Sequence, residues 1–291
     1  EITIIGGCMS SITDVYSPRT TFRCTRLRGA KVGSSVCQFC AVGCSQLGFF
    51  KDGKLIDVEG DPRSAVNEGR LCPKGSSTYA LNDNPYRKVK PMYRAPGSDH
   101  WEEVTLDWML DTVAKRIWDT RNKGFVEKDP ATGITVNNCA NIGFIGGSAN
   151  DNEECYLFRK LFTGGLGILP VENSARYCHS TTVAALSPTF GFGACTNPPR
   201  DLLNSDCILI MGSNMAEAHP CAFYWPMQAK KKGAVTIHVD PRYTRTSAAC
   251  DHHVHIRPET DIAFLSAVIR YILEKGLWFK EYVLAYTNAS T

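Results

Sequence analysis

The sequence predicts an α/β protein in which a small, cysteine-bearing module precedes a region built on a parallel sheet. Residues 31–95 are rich in Gly, Pro, Asn and Asp and contain four patterned cysteines. From Gly97 onward, short apolar runs alternate with segments whose apolar residues recur at helical spacing. Strands that alternate with helices in this way are typical of parallel sheets. The chain has 291 residues, of which 43% are hydrophobic, so it can bury a large core.

The first predicted elements are a hairpin and a long helix. The cysteine module contains LGFFKDGKLIDVEGD, in which two strand-like runs flank the dipeptide Asp52-Gly53. This dipeptide favours the tight turn of a β-hairpin. A helix is predicted next, because apolar residues recur at helical spacing from Leu106 to Ile117 and Gly124 ends the run.

The rest of the chain alternates between predicted strands and predicted helices. We predict strands in NIGFIGG, DCILIMGSN and AVTIHVD, and helices in NEECYLFRKLF, HPCAFYWPMQAKKKG and ETDIAFLSAVIRYILEKG. Ligands of parallel α/β sheets bind beyond the carboxyl ends of the strands. MGSN and VDPR each close an apolar strand, so these two segments are the predicted ligand positions. Asp240 and Arg242 of the second segment could instead form a turn with a surface ion pair.

Charge and hydropathy exclude two classes of function. Lys and Arg number 32 and Asp and Glu number 29, a net charge of +3, and the basic residues are scattered except for the run Lys230 to Lys232. We interpret that run as the solvated end of a helix, so nothing indicates nucleic-acid binding. No apolar stretch approaches the ~20 residues that span a bilayer. The first thirty residues lack an initiator Met, a signal-peptide pattern and a twin-arginine pair, so we expect any export signal to be absent or already removed.

Four of the thirteen cysteines form a ligand-like pattern. Cys37, Cys40 and Cys44 lie together in VCQFCAVGC, and Cys72 follows in RLCPKG. Four thiolates suit a tetrahedral zinc ion or an iron–sulfur cluster. Zinc ligands usually come as two short pairs, whereas here a tight trio precedes a distant single cysteine that is followed by Pro73. The pattern therefore favours a [4Fe-4S] cluster, with structural zinc or unligated cysteines as the alternatives.

Two further predictions concern residues near this pattern and outside it. Lys74, directly after the Cys72-Pro73 pair, is either a surface cation or a charge that offsets the cluster and bridges to a second redox centre. Six other cysteines sit in or beside apolar runs and are predicted to be inert core residues: Cys139, Cys155, Cys195, Cys207, Cys221 and Cys250. Cys8 and Cys24 receive no role.

Seven motifs in order resemble one enzyme family. They are VCQFCAVGC with EGRLCPKG, YRAPGSDHWEEV, NEECYLF, ARYCHSTTVAALSPTFG, SDCILIMGSNMAEAHP, VDPRYTRTSA and TDIAFLSAVIRYILEKG. Together they resemble the large subunit of metal-dependent formate dehydrogenases of the respiratory and sulfate-reducer type. These are oxidoreductases that contain molybdenum or tungsten held by bis-molybdopterin guanine dinucleotide. The resemblance covers residues 31–289, and it implies an α/β dinucleotide-binding region that is incomplete relative to the family.

The resemblance assigns roles to particular residues. Cys37, Cys40, Cys44 and Cys72 match the [4Fe-4S] ligands, and Lys74 matches the lysine between the cluster and the nearer pterin. Cys178 matches the cysteine or selenocysteine that binds molybdenum or tungsten, and His179 matches the catalytic histidine beside it. The guanine dinucleotide is implied to lie against nine residues: Gly212, Ser213, Asn214, Glu217, His219, Asp240, Arg242, Thr260 and Asp261.

The implied reaction is the oxidation of formate to carbon dioxide. Electrons would leave through the [4Fe-4S] cluster to an iron–sulfur electron-transfer subunit. The chain is much shorter than the family's large subunits, so a second polypeptide or a further part of the protein is expected to complete the active site. Phe192 stands where relatives usually carry Arg, and Pro198-Pro199 stands where they carry His-Trp, which puts the details of the substrate channel in doubt.

Two other functions compete with this interpretation. A nitrate reductase of the same superfamily would share the cluster and dinucleotide segments, but it typically has Met at the position of His179. A non-catalytic iron–sulfur subunit would have no need of the Cys178-His179 pair. The resemblance implies a periplasmic location, with a cytoplasmic relative as the alternative.

The motifs divide the chain into four predicted segments. Residues 1–30 form an N-terminal extension and residues 31–95 the [4Fe-4S] domain. Residues 96–170 form the first part of the molybdopterin α/β domain, and residues 171–291 carry the metal-ligand loop and the guanine-dinucleotide site.

Overall fold

A computed structural model describes residues 26, 27 and 29–289 and divides the chain into two compact units. The first unit comprises the described residues up to Gly33, together with Gly48–Val58 and Pro73–Asn197. The second unit comprises Ser34–Leu47, Glu59–Cys72 and the described residues from Pro198 onward. Cys8 and Cys24 lie outside the described residues. The four predicted segments follow motif boundaries rather than compactness, and they stay a prediction.

The first described strands form a sheet that contains the predicted hairpin. Strands β1 (Lys31–Val36), β2 (Ser45–Lys51) and β3 (Lys54–Gly60) form a sheet in that order. Asp52 and Gly53 form the turn between β2 and β3 with φ values of 52° and 76°. Positive φ at both central residues is the geometry that Asp-Gly hairpin turns adopt, so the hairpin prediction is confirmed.

The next part of the chain belongs to the first unit. It contains α1 (Pro73–Ser76), α2 (Thr78–Asn82), β4 (Met92–Tyr93), β5 (Glu102–Glu103), α3 (Leu106–Gly124), β6 (Phe125–Lys128), β7 (Thr135–Cys139), β8 (Phe144–Gly146), α4 (Asn152–Arg159), a π-helix (Lys160–Gly165), β9 (Val171–Asn173) and α5 (Ser174–Phe190). Strands β4 and β5 pair antiparallel, as do β6 and β7, whereas β8 and β9 pair in parallel. The predicted helix at α3 is confirmed, and Thr105 caps it by accepting the Trp108 N–H at 3.2 Å.

The last part of the chain belongs to the second unit. It contains a 3₁₀-helix (Pro199–Asn204), β10 (Cys207–Met211), α6 (Met215–Ala218), α7 (Pro220–Lys231), β11 (Val235–Val239), α8 (Arg245–Ala249), β12 (His252–Val254), α9 (Asp261–Glu274) and α10 (Lys280–Tyr286). Strands β10, β11 and β12 form a parallel sheet in chain order, with Cys207 opposite Val235 and Ile237 opposite His252. The predicted α/β architecture is confirmed, but β8 and β9 form a sheet separate from β10, β11 and β12.

Two features of the helices refine the sequence predictions. The apolar residues of α3 and α9 recur at helical spacing, yet several remain exposed, among them Leu110 at 53% and Ile262 at 80%. Lys230 lies at the end of α7 as predicted, but its ammonium binds the Asp251 carboxylate at 2.9 Å. Across the residues that the structure describes, no helix combines the length and the apolar character that a membrane span requires.

Candidate cofactor sites

Five cysteines gather in the second unit, and we call their surroundings the cysteine pocket: Cys37, Cys40, Cys44, Cys72 and Cys221. The side chains of Cys37, Cys44 and Cys221 are buried together, and Val42, Leu71 and Cys72 pack against them. Cys40 and Cys72 are half-buried. The structure therefore brings Cys37, Cys44 and Cys72 into one apolar surrounding, with Cys40 near Cys44, and this surrounding limits the access of water to anything that the sulfurs bind.

The backbone of the short cysteine loop is closed by its own hydrogen bonds. The Cys37 N–H donates to the Cys44 carbonyl at 2.8 Å, and the Gly43 N–H donates to the Cys40 carbonyl at 3.3 Å. Gly43 has a φ of 66°, a conformation that glycine adopts without steric cost. The glycine in VCQFCAVGC thus turns the chain so that Cys44 returns beside Cys37.

Asn67 joins the cysteine loop to the segment that carries Cys72. Its side chain is 1% exposed. Its carbonyl oxygen accepts the Ser45 N–H at 3.0 Å, and its amide donates to the Ser45 carbonyl at 3.1 Å and to the Arg70 carbonyl at 2.8 Å. Ser45 follows Cys44 directly, and Arg70 lies two residues before Cys72. Sequence reasoning missed Asn67, because nothing in the local pattern distinguishes it from a loop asparagine.

Burial governs the acidity of the pocket thiols. Burial first, and then the neighbouring Cys221, Cys37 and Cys40, raise the pKa of Cys44 to about 12. Burial likewise raises the pKa of Cys221. Several thiolates can share this pocket only with a cation to neutralise them, and metal binding releases thiol protons for this reason. A cubane cluster takes one thiolate on each iron, so two buried and two half-buried cysteines in one region fit its donor set.

Single-ion metal sites follow a different geometry. Within residues 26, 27 and 29–289, no group of three or more Cys, His, Asp or Glu side chains could hold a metal ion. Lys74, the predicted neighbour of the cluster, is exposed in α1, and its carbonyl accepts the Ser77 hydroxyl at 2.8 Å. Lys74 makes no ion pair with the part of the chain that the structure describes.

Cys178 and His179 lie near the start of α5, in the first unit. Both side chains are exposed, and the helix departs from helical geometry at His179, where φ is −143° and ψ is 30°. His179 lines a cleft of about 530 Å³ whose walls include Phe144, Cys155 and Asn173. The kink therefore presents the predicted catalytic histidine to a cavity large enough for a ligand.

Asn173 fixes the entrance to this helix. Its side-chain oxygen accepts the Ala175 N–H at 2.9 Å, and its amide donates to the Gly147 carbonyl at 2.9 Å. Glu172 and Arg176 form an ion pair one helical turn apart. Asn173 thus joins the end of β8 to the start of α5, and it is a further site residue that local patterns did not single out.

The carboxyl ends of β10 and β11 meet, as the parallel sheet predicts. The Gly212 N–H donates to the Val239 carbonyl at 2.9 Å. Gly212 has a φ of 62°, and no heavy atom lies within 4 Å of the position that a Cβ would occupy there. This open glycine at a strand end is a place where a ligand can approach the backbone closely.

The predicted dinucleotide residues after β10 are held by polar contacts. The Asn214 amide hydrogen-bonds to the Glu217 carboxylate, and its oxygen accepts the Thr246 hydroxyl at 3.1 Å. Glu217 also forms an ion pair with Arg245 at 3.2 Å. The Nδ1 atom of His219 is buried without a partner in the described part of the chain, and an orphaned polar atom at a strand-end site fits a bound polar ligand.

His238 hydrogen-bonds to residues near the same strand ends. It is fully buried, its Nε2 hydrogen-bonds to the Ser213 carbonyl at 3.1 Å, and its Nδ1 hydrogen-bonds to the Ser247 hydroxyl at 2.7 Å. Burial lowers the pKa of His238, while the nearby Asp240 opposes that shift. With Nε2 donating to a carbonyl, Nδ1 accepts from the hydroxyl, so this network suits the neutral imidazole.

The last predicted dinucleotide residues are Asp240, Arg242, Thr260 and Asp261. Asp240 is buried and accepts the Arg242 backbone N–H at 2.7 Å, while the Arg242 side chain is exposed. Asp240 and Arg242 therefore form a turn, as the alternative interpretation of VDPR predicts. Their side chains, both described by the structure, form no ion pair with each other. The Thr260 hydroxyl donates to the Arg257 carbonyl at 2.6 Å, and Asp261 is exposed at the start of α9.

The six cysteines predicted to be inert core residues differ in burial. Cys139 and Cys221 are buried, and Cys155 and Cys250 are half-buried. Cys195 and Cys207 are exposed, so the prediction is wrong for these two. Cys195 lies in a loop. Cys207 is the first residue of β10, on the exposed face of that strand.

Comparison with known protein families decides the affiliation of the chain. Residues 30–84 match the molybdopterin oxidoreductase Fe4S4 domain, and residues 87–278 match the molybdopterin oxidoreductase domain. The chain belongs to the molybdopterin oxidoreductase family. The predicted [4Fe-4S] cluster and molybdopterin cofactor are thereby confirmed for this member of the family, as is the order of its two domains.

Curated molybdopterin oxidoreductases include close relatives. The chain is 53% identical to the formate dehydrogenase subunit alpha of Megalodesulfovibrio gigas, over 90% of the chain and 26% of that protein. It is 47% identical to the formate dehydrogenase 2 subunit alpha (cytochrome c-553) of Nitratidesulfovibrio vulgaris, over 91% of the chain and 26% of that protein. The chain thus spans about a quarter of the length of these relatives.

A solved structure of the same fold is acetylene hydratase from Pelobacter acetylenicus. The TM-score is 0.66 at 22% identity, and the match covers 87% of this chain and 33% of that chain. This likeness shows the fold alone. It agrees with the α/β architecture that the strand and helix pattern predicts.

Proposed function

We propose that this molybdopterin oxidoreductase chain is part of the catalytic alpha subunit of a formate dehydrogenase. Its closely similar relatives carry that name, at 53% and 47% identity. The observation that carries the proposal is the exposed Cys178-His179 pair at the kink of α5, where His179 faces the cleft. The reaction releases carbon dioxide, one proton and two electrons from each formate.

When bound, molybdenum or tungsten with its pterins would supply a two-electron acceptor, and the [4Fe-4S] cluster would supply a one-electron carrier. We infer that Cys37, Cys40, Cys44 and Cys72 would hold the cluster, because Cys37, Cys44 and Cys72 pack together and Cys40 lies near Cys44. Lys74 is proposed to neutralise charge beside it. Cys178 is the proposed metal ligand, since a soft thiolate suits a metal that cycles between oxidation states.

His179 is proposed to take the proton that formate releases. A neutral imidazole has one nitrogen with a free lone pair, which can accept a proton and pass it on to water. Its position on the wall of the cleft gives that proton a route to solvent. The kink at this residue directs the imidazole into the cleft while α5 continues to Phe190.

The strand-end residues are proposed to hold a guanine dinucleotide. Gly212 leaves its backbone open, and Ser213 and Asn214 follow with polar groups. The Arg242 side chain is exposed and can pair with phosphate. The remaining members of the proposed site are Glu217, His219, Asp240, Thr260 and Asp261.

Replacement of Cys178 tests the proposal. We expect Cys178→Ala to abolish formate oxidation in the holoenzyme while the absorbance of the cluster stays unchanged. Cys195→Ala is the matched control, because Cys195 is another exposed cysteine of the first unit. Formate oxidation that survives Cys178→Ala would refute the assignment.

Metal and substrate assays separate the competing functions. We expect iron together with molybdenum or tungsten in the purified protein, and turnover with formate. Nitrate reduction without formate oxidation would favour a nitrate reductase, and iron without either heavy metal would favour a non-catalytic electron-transfer subunit. Activity also requires the partners proposed here, an iron–sulfur electron-transfer subunit and the polypeptide that completes the active site.

A periplasmic location is the proposed setting. The support is the relative whose name includes cytochrome c-553, an electron carrier of the kind that a periplasmic enzyme could use. Cell fractionation with formate dehydrogenase assays tests this location. Activity confined to the cytoplasmic fraction would contradict it.

A further inference from the structure

The Arg70 side chain is held in place two residues before Cys72. Its guanidinium donates to the Glu68 carboxylate at 3.0 Å and to the Tyr224 hydroxyl at 2.9 Å. The guanidinium carbon also lies 3.7 Å from the centre of the Tyr224 ring, so the cation stacks on the aromatic face. An arginine that is held in this way loses rotamer freedom. The positive charge of Arg70 therefore has a defined position.

The backbone of Arg70 lies at the edge of the cysteine pocket. Its N–H donates to the Asn67 carbonyl at 2.8 Å, and its carbonyl accepts the Asn67 side-chain amide at 2.8 Å. The Cys221 S–H donates to the same Arg70 carbonyl at 3.7 Å. Cys221 is in turn buried beside Cys37 and Cys44. Both the main chain and the side chain of Arg70 are therefore fixed next to the predicted cluster ligands.

Arg70 and Cys72 line one groove of the second unit, with a volume of about 550 Å³. Its walls also include Cys221, Tyr224 and Lys231. Two residues of fully extended chain span at most about 7 Å, so the backbones of Arg70 and Cys72 are no farther apart than that. A proposed cluster ligand and a fixed cation thus share one groove, at a separation where charges interact even near a protein surface.

The Glu68 carboxylate does not cancel the charge of Arg70. It also faces the guanidinium of Arg200 at 3.6 Å, so two cations share one anion. The side chains of Arg70 and Glu68 are 40% and 33% exposed, so water screens their charges only in part. Arginine stays protonated in proteins. The group of Glu68, Arg70 and Arg200 therefore carries a net positive charge.

We propose that Arg70 tunes the [4Fe-4S] site: Glu68 and Tyr224 hold its guanidinium near Cys72, where its charge raises the reduction potential of the cluster. Reduction adds one negative charge to a cluster, and a nearby cation stabilises that added charge. The net charge of a cluster and its surroundings is one of the factors that set its potential. The inference rests on the proposed cluster ligands and is independent of formate as the substrate.

Substitutions that change the charge in opposite directions test this role. The holoenzyme and its Arg70→Met, Arg70→Lys and Glu68→Gln variants would be titrated anaerobically, with the cluster followed by electron paramagnetic resonance. We expect Arg70→Met to lower the potential, Arg70→Lys to keep it, and Glu68→Gln, which removes the anion, to raise it. At the wild-type midpoint the ratio of oxidised to reduced cluster should rise about threefold in Arg70→Met and fall about threefold in Glu68→Gln, where tenfold is about 59 mV for one electron.

The signs of the shifts separate charge from packing. If Arg70 only holds the segment of Cys72 in place, breaking its ion pair from either side shifts the potential in the same direction, and the proposal is overturned. An Arg70→Lys variant that shifts as far as Arg70→Met overturns it too, as do equal potentials in all four proteins. If Arg70→Met fails to fold, Glu68→Gln decides the question, because it keeps the size of the side chain and both contacts between Arg70 and Tyr224.

Arg270→Met is the matched control. Arg270 forms an ion pair with Glu274 at 2.7 Å on α9 and does not line the groove. Its removal changes the net charge of the protein by the same amount as Arg70→Met, so the potential of this variant should equal that of the wild type. A shift as large as that of Arg70→Met would overturn the proposal. Formate turnover measured in parallel keeps the two proposals apart, because the predicted order of potentials can hold whether or not formate is oxidised.

Discussion

The cysteine pocket and the cleft beside Cys178 differ in how fully this chain encloses them. In the pocket, Cys37 and Cys44 are 8% and 5% exposed, and Asn67 ties the loop of the trio to the segment of Cys72. At the cleft, which His179 lines, Cys178 and His179 are both exposed, and the position of the pair depends on the start of a single helix.

This difference indicates where a substitution should change stability and cofactor binding together. A buried donor set is held by the same hydrogen bonds that hold the fold, so a change there should alter stability and cofactor retention together. An exposed pair on a helix contributes little burial, so a change there should alter chemistry at small cost in stability. Each prediction below tests one side of this contrast.

Loss of Cys44 should have the largest effect. Cys44→Ala removes a proposed cluster ligand from the most enclosed part of the pocket, and we expect loss of the cluster absorbance and of most of the bound iron. Removing metal ligands also removes the folding free energy that metal binding provides. Iron analysis and visible spectra measure the effect, with Cys250→Ala as the control cysteine outside the pocket. Full iron retention in Cys44→Ala would exclude Cys44 as a ligand.

Asn67→Ala should have the next largest effect. It leaves the backbone groups of Ser45 and Arg70 without their partner in a buried place, which we expect to cost about 2–3 kcal/mol of unfolding free energy. The cluster should also be released faster on exposure to a chelator, because Asn67 joins the two segments that carry its ligands. Chemical denaturation and iron-release rates measure the two effects. If Asn67→Ala is destabilised but releases iron no faster than the wild type, stability and cofactor retention are not linked in the cysteine pocket. The contrast between the pocket and the cleft would then be weakened.

His238 should make the strand-end site sensitive to acid. Burial places the folded pKa of His238 below the unfolded value of about 6.5. Above pH 6.5 both states are neutral, whereas below it the unfolded state binds a proton that the folded state does not. Stability is therefore lost as the pH falls from 6.5 to the folded pKa, by about 1.4 kcal/mol for each unit of lowering.

Denaturation at pH 7.5 and pH 5.5 measures this loss in the wild type and in His238→Gln. The variant should be less stable at pH 7.5, because it loses the contacts to Ser213 and Ser247, but it should lose less on acidification. Asp240 and His253 face His238 and are present in both proteins, so the difference between the two proteins isolates His238. Equal losses on acidification would contradict the role of its burial.

The sequence predicts the elements whose signals are local. Helices α3, α7 and α9 and strands β8, β10 and β11 lie where periodicity indicates, and the Asp52-Gly53 turn forms as expected. It does not predict the β6–β7 hairpin or strand β9, since TVNNC is polar and a three-residue strand is too short to show a period. Nor does spacing reveal that apolar residues of α3 and α9 stay exposed, because exposure depends on what packs against a helix.

The same division holds for the sites. The four patterned cysteines are visible because all lie within one stretch of sequence that carries its own spacing. Asn67 acts on Ser45 across 22 residues, and Cys221 acts on Arg70 across 151 residues. Such roles follow from tertiary contacts, and a single sequence does not show them. Cys221 is buried, as its apolar sequence neighbours predict, but the sequence does not show that Cys37 and Cys44 lie beside it.

Asn173→Ala should have the smallest effect on stability and the most informative effect on the cleft. It removes the N-cap of α5, which costs about 1 kcal/mol, and also the hydrogen bond to Gly147. Asn173→Asp is the matched variant, because it keeps the capping oxygen and loses the amide donor. If the exposed Cys178-His179 pair depends on the start of α5 alone, Asp should restore both the melting temperature and the rate of formate oxidation, whereas Ala should lower both. If Asp restores the melting temperature and leaves the rate low, the amide bond to Gly147 positions the pair as well, and the cleft is then held from two elements, as the cysteine pocket is.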